Sequence, residues 1–153
     1  MKMVDVGGKE KTERTAVATG RVRMLPATLD RVRRRKVEKG DVIAAARLAG
    51  VMAAKRTPDL VPLCHPIALS AVSVDVRPAR GALEIRAEVK TVDRTGVEME
   101  ALTAVSAAAL TIYDMLKGVD RAMVVEHVQL EHKSGGRSGT WNRRGARRAE
   151  PPS

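Results

Sequence analysis

The chain has no phenylalanine, one tyrosine (Tyr113) and one tryptophan (Trp141). Single-stranded nucleic acid is held largely by stacking on exposed rings, so recognition of that kind is disfavoured. A single cysteine, Cys64, excludes an intramolecular disulfide and any CxxC metal knuckle. No apolar run approaches the roughly 18–20 residues of a membrane span. The polar start, MKMVDVGGKEKTERT, has no signal-peptide core. The expectation is a cytoplasmic protein that does not meet a membrane. Positive charge, in contrast, is abundant: 28 Lys+Arg against 18 Asp+Glu give a net charge of +10 over 153 residues. Such a balance implies an anionic partner, and the scarcity of rings favours a small one. Most of the excess sits in the Arg31–Lys36 run and after Trp141, so the remainder is nearly balanced. Length predicts a single domain over 1–141, and composition predicts a basic, disordered tail over 142–153.

The patterning predicts an α+β fold. Arg14 to Met24 alternates as a half-buried strand, with Ala16, Ala18 and Val22 on one side. Pro26 opens a short basic helix through Lys36. Asp41 is placed to cap a helix from Val42 to about Arg56, with Ala45, Ala46, Ala49, Met52 and Ala53 as its buried stripe. The three prolines of Thr57–Pro66 predict a rigid, non-helical connection. Ile67–Arg77 and Ala82–Val92 read as a hairpin across Pro78-Ala79-Arg80-Gly81. Val97–Lys117 is the longest helix, with Ala101, Val105, Ala108, Ile112 and Met115 inward. Ala122–His132 is the last strand. This order predicts a ferredoxin-like sandwich: a four-stranded antiparallel sheet with helices on one face. The bare face is then available for oligomer formation.

Four constellations carry potential chemistry. In Pro62-Leu63-Cys64-His65-Pro66 the bracketing prolines hold His65 with little entropy to lose. It is either a structural loop histidine or part of a site. A metal is not expected, because His127 and His132 lack ligand spacing relative to Cys64 and His65. Glu98 and Glu100 either complement a helix N-terminus or bind the N–H edge of a purine or pterin. Asp114 and Lys117 form either a surface i,i+3 pair or a proton-transfer pair. Lys133–Gly139 (KSGGRSG) offers cations and glycine amides to a phosphate, without the spacing of a P-loop. Glu100 and Asp114 stand about 21 Å apart along one helix. They therefore cannot serve the same small substrate unless a site is shared between two subunits.

Met3-Val4-Asp5-Val6, KGDVIAAARLAGVMAAKRTPDLVPLCHP, DRTGVEMEALTAVSAAALTIYDMLK and KSGGRSG together closely resemble the molybdenum cofactor biosynthesis protein C family, from about Met3 to Gly139. The resemblance implies a lyase, a cyclic pyranopterin monophosphate synthase. Its substrate would be 3′,8-cyclo-7,8-dihydroguanosine 5′-triphosphate, supplied by a radical-SAM GTP cyclase, with pyrophosphate as the second product. It implies a ferredoxin-like fold and a homohexamer, a trimer of dimers, with interfacial sites. Carried over by position, Asp114, Lys117 and Lys39 match catalytic residues. Leu63, Cys64, His65, Met99 and Glu100 match substrate-contacting segments, and Glu98, Lys55, Arg14 and Lys133 match polar positions around the ligand, with Lys133, Lys55 and Arg14 as candidate cations for the triphosphate. No tightly bound cofactor is implied; Mg²⁺ would come, if at all, with the triphosphate. The competing reading from charge alone is a nucleic-acid-binding module without catalysis, whose affinity would be steeply salt-dependent. A purely structural oligomer is the third. Neither accounts for PLCHP or the carboxylates, so no nucleic-acid partner is expected.

Overall fold

The structure, a computed structural model, describes residues 1–144. The chain runs β1 (Thr12–Arg23), α1 (Pro26–Arg33), α2 (Val42–Lys55), α3 (Thr57–Leu60), β2 (Leu69–Ala79), β3 (Ala82–Asp93), α4 (Glu98–Leu116), β4 (Val124–Ser134) and β5 (Trp141–Asn142). The sheet is antiparallel in the order β2-β3-β1-β4-β5, with helices on one face. Its first four strands have the expected ferredoxin-like order. The fifth is a two-residue strand that pairs Trp141 with Lys133 and Asn142 with His132. The tail expected to be disordered thus begins inside a strand, and from residue 145 it lies outside the described residues.

The core is made of small aliphatics, as the composition requires. Ala16, Ala18 and Val22 of β1 meet Leu83, Ile85, Ala87 and Val89 of β3, all at most 1% exposed. Ala101, Ala104, Val105, Ala108, Ala109 and Ile112 of α4 close over them, each fully buried. Small side chains bring the helix close to the sheet. At Gly20 the approach is closest: a Cβ there would sit 2.7 Å from Val105 Cγ1. Burial also explains why α4 has the length and apolar content of a membrane span, since a core helix covered on one face meets the same test. The opposite sheet face carries charges that neutralise one another, including Arg21–Glu126 and Arg86–Glu88.

Three expectations shift. The buried stripe of α2 is Val42, Ala46, Gly50 and Ala54, while Met52 is half exposed and Leu48 more so. This helix is apolar almost all round, so its sequence leaves the inward face ambiguous; packing against α4 selects it. The three-proline connection contains a helical turn at Thr57–Leu60, nucleated by buried Thr57, whose hydroxyl donates to the Ala54 carbonyl at 2.9 Å. Strand β4 starts two residues late and bulges twice against β1, and His127 has φ +56 opposite Gly20. Bulges of this kind sharpen the twist of a strand.

Helix α1 is tied down remotely. Its N-cap, Leu25, has no side-chain cap. Buried Asp120, beyond the end of α4, instead accepts from Leu25 N at 3.0 Å and from Thr28 Oγ1 at 2.9 Å. Asp41 caps α2 as expected, accepting from Ala44 N at 3.0 Å.

Candidate active site

Helices α2 and α4 lie antiparallel: Lys39, just before α2, reaches Asp114 near the end of α4, while Gly50 meets the Ala104 carbonyl. The expected residues gather at the two ends of this pair.

At the α4 N-terminal end lies a cleft of about 400 Å³, bounded among others by Leu63, Cys64, His65, Glu98 and Met99. The loop is folded by Cys64 N donating to the Val61 carbonyl at 3.1 Å. It delivers the Cys64 thiol to within 3.6 Å of Glu100 Oε1. Glu100 is 2% exposed, and among the described residues its Oε2 has no hydrogen-bond partner. Burial, reinforced by Glu98, raises its pKa against the opposing pull of its own backbone amide and Cys64. Burial and the two carboxylates push the Cys64 thiol up to about 11. The thiol is therefore protonated at neutral pH and acts as a hydrogen-bond donor rather than a nucleophile.

The walls of this cleft are tied by cations. Lys133 Nζ pairs with Glu98 Oε1 at 2.7 Å. Arg14 donates to the Asp93 and Arg94 carbonyls at 3.1 and 3.2 Å. The KSGG turn folds over Arg14 with Gly135 and Gly136 at φ +97 and +74. A Cβ at either position would collide with the Glu13 carbonyl or the Arg14 guanidinium. The glycines of this segment therefore serve close approach to Arg14. Lys55 stands exposed at the neighbouring end of α2. Sequence reading gave no role to Lys2 and Lys9, yet both line this cleft with Val4 and Val6. Their signal was the MVDV segment they flank.

At the other end of α4, Asp114 is held between two lysines. Lys39 Nζ lies 2.9 Å from Oδ2 and Lys117 Nζ lies 3.0 Å from Oδ1. Lys39 also donates to the Asp114 carbonyl at 3.3 Å. The two ammonium groups lower the Asp114 pKa. A cleft of about 250 Å³ opens beside this trio, lined also by Arg31 and Lys36. The Arg31–Lys36 run, to which the sequence assigned no role beyond excess charge, thus contributes two residues to this cleft. Among the described residues no three of His, Cys, Asp and Glu are grouped to hold a metal ion. His132 Nδ1 lies 2.7 Å from Asn142 Oδ1 instead.

The MoaC family profile matches residues 3–136, and the chain belongs to that family. It is 61% identical over 144 residues to the cyclic pyranopterin monophosphate synthase of Thermomicrobium roseum, covering 93% of this chain and 87% of that protein. Proteins of the same name from Streptomyces avermitilis (58% over 142 residues, 93% and 84% covered) and Roseiflexus sp. (60% over 142 residues, 92% and 90% covered) are similarly related. The resemblance read from the motifs is borne out, and the relatives are enzymes rather than nucleic-acid-binding modules.

Proposed function

We propose that this chain is a cyclic pyranopterin monophosphate synthase of molybdenum cofactor biosynthesis. It converts 3′,8-cyclo-7,8-dihydroguanosine 5′-triphosphate to cyclic pyranopterin monophosphate and pyrophosphate. The observation that carries this reading is Asp114 clamped between Lys39 and Lys117, groups that are 75 residues and three residues away in sequence. An internal hydroxyl oxygen of the substrate bonds to the α-phosphorus, and the bond from that phosphorus to the bridging oxygen breaks. Pyrophosphate leaves with the electron pair, and the hydroxyl proton passes to a base. Lysine ammonium groups offset the charge that develops on the departing oxygen. Asp114 and Lys117 serve as base and acid, with Lys39 beside them. The lowered Asp114 pKa makes it a weak base until the phosphates compete for its lysines.

The other end of α4 recognises the base. Glu98 and Glu100 suit the N–H edge of a purine or pterin, with His65, Cys64, Leu63 and Met99 around it. Lys133 and Arg14 hold the walls, and exposed Lys55 adds a cation. On one protomer the two ends are about 21 Å apart, by the helical rise between Glu100 and Asp114. Each site is therefore built from the N-terminal end of one α4 and the C-terminal end of another, in a homohexamer arranged as a trimer of dimers. The substrate comes from a radical-SAM GTP cyclase in the cytoplasm, and any Mg²⁺ arrives on the triphosphate. The test is incubation of the full chain with the cyclic dihydro-GTP intermediate. Pyrophosphate and a pyranopterin should appear in equal amounts; absence of both overturns the reading.

A further inference from the structure

Lys133 reaches Glu98 only because β4 carries one extra residue. Residues opposite each other on paired strands share a face of the sheet. Ala16 and Ala18 of β1 are fully buried on the face that the helices cover. Their partners on β4 are Lys133 and Leu130, which are three positions apart rather than two. The unmatched residue is Glu131. In a regular ladder continued from Leu130, His132 would stand opposite Ala16 and Lys133 opposite Thr15, on the bare face. A slip of one residue exchanges the faces of everything beyond it. With the bulge in place, Lys133 Nζ instead meets Glu98 Oε1 at the start of α4, at 2.7 Å.

A bulge interrupts the ladder, so its polar groups need other partners. The Glu131 carboxylate is held from β1 and from its own strand. Its Oε1 accepts from Thr19 Oγ1 at 2.8 Å and from Gln129 Nε2 at 2.7 Å. The carbonyls are held by Arg143, just past β5. Its backbone N donates to the Glu131 carbonyl at 2.9 Å, and its Nε donates to the Leu130 carbonyl at 2.8 Å. In a regular strand two consecutive carbonyls point to opposite neighbours. Here one residue takes both. The Arg143 guanidinium also lies over the Trp141 ring, 5.7 Å from its centroid, which restrains the side chain from its far end. Strand β5 closes the same corner by pairing Trp141 with Lys133 itself.

We propose that Arg143 is a positioning residue of the active site: it locks the bulge at Leu130 and Glu131 and so keeps Lys133 on the helix side of the sheet, against Glu98. Arg143 lines neither cleft and acts through Lys133. The inference rests on the synthase reading for the use made of Lys133, and on the bulge alone for the clip.

The test uses the full chain and substitutions that separate the donor from the charge. Arg143→Met removes both. Arg143→Gln removes the charge but leaves an N–H at the place of Nε. One measurement is the rate at which acetic anhydride modifies Lys133, read by mass spectrometry against the other lysines. The other is steady-state turnover of the cyclic dihydro-GTP intermediate. Arg143→Met should speed modification of Lys133 at least about threefold and raise KM about three- to tenfold, the worth of one hydrogen bond, with kcat within about twofold of the parent. Arg143→Gln should match the parent in both. In a Lys133→Met background, Arg143→Met should change KM no further, because residues that act through one another are not additive. Arg143 sits outside the core, and circular dichroism checks that each variant keeps its fold. Unchanged Lys133 modification or unchanged KM in Arg143→Met overturns the inference. So does a loss in Arg143→Gln equal to that in Arg143→Met, or a full effect that persists without Lys133. Faster modification in Arg143→Met and parental protection in Arg143→Gln, in a chain whose parent forms no pyranopterin, keeps the clip and overturns the synthase reading instead.

Discussion

Helix α4 carries a carboxylate near each end, and the two environments push their ionisation in opposite directions. Glu100 is buried, with one oxygen on a thiol and the other unpartnered, so its pKa is raised. Asp114 is solvated and sits between two ammonium groups, so its pKa is lowered. For Glu100 the desolvation cost exceeds anything its neighbours return; for Asp114 there is almost no desolvation to oppose the lysines. Folding thus disfavours the charged carboxylate at one end of the helix and favours it at the other, where it organises two cations.

The sharpest way to break this comparison is to remove the solvated end. Asp114→Asn or Lys117→Ala should lower turnover by about 10²–10⁴-fold with the fold intact, the range expected for a positioned proton-transfer group. Normal turnover in either variant would remove Asp114 and Lys117 from the chemistry. Accumulation of a partly rearranged intermediate would support their placement.

The next test asks whether the two ends cooperate across subunits. Glu100→Gln and Asp114→Asn, each inactive alone, should recover about a quarter of parental activity when co-assembled in equal amounts, since random mixing leaves that share of interfacial sites intact. If mixed assemblies stay inactive, both ends act within one protomer and the distance argument fails.

Stability separates the ends further. Asp120→Ala strands the Leu25 amide and the Thr28 hydroxyl and should cost about 1–3 kcal/mol, read as a lower denaturation midpoint. Because Asp120 anchors α1, the loss should also weaken binding at the Asp114 cleft more than at the Glu100 cleft. Glu100→Gln should have the opposite effect on stability, a gain of about 1 kcal/mol at neutral pH or about 2–4 °C in Tm, while abolishing turnover. The sign follows from linkage. A carboxyl whose pKa is raised by folding makes the folded state less stable as pH climbs from its ordinary value, 4.5, through the raised one. The Asp114 contribution runs the other way: it is present above the ordinary value of 3.8 and is lost as pH falls through the lowered pKa. A pH series of Tm on parent and Glu100→Gln should therefore diverge above about pH 4.5 and converge below it; parallel curves would mean that Glu100 ionises freely.

The smallest expected effect is at the turn that ends α1. Arg35→Gly relieves a non-glycine residue at φ +56 and should stabilise the chain by about 0.5–1 kcal/mol. Turnover should be kept, because Arg35 does not line the Asp114 cleft.

Much of the architecture was legible in the order of residues, and the failures have physical causes. Strand β3 could be read directly because apolar and charged residues alternate from Leu83 to Lys90, with Leu83, Ile85, Ala87 and Val89 inside. The Asp41 cap relies on local chemistry and was equally plain, and so was the hairpin, although its turn, expected across Pro78–Gly81, is only Arg80-Gly81 because Pro78 and Ala79 still pair with β3. The face of α2 was not, because alanine and other apolar residues surround it and only contact with α4 and Val74 decides which side is buried. Lys2, Lys9, Arg31 and Lys36 were missed at the clefts because a charged residue on a polar segment reads as solvated surface until the chain folds back.

By itself the sequence determined the longer secondary elements, the family, and the spacing of Glu100 and Asp114 on one helix, because those depend on side-chain periodicity and on motifs contiguous in the chain. The tertiary structure alone decided that Lys39 reaches Asp114, that Cys64 reaches Glu100, and that the two carboxylates differ in ionisation. Burial and charge proximity are properties of space rather than of sequence separation, and they set the free energy of every proton these groups hold.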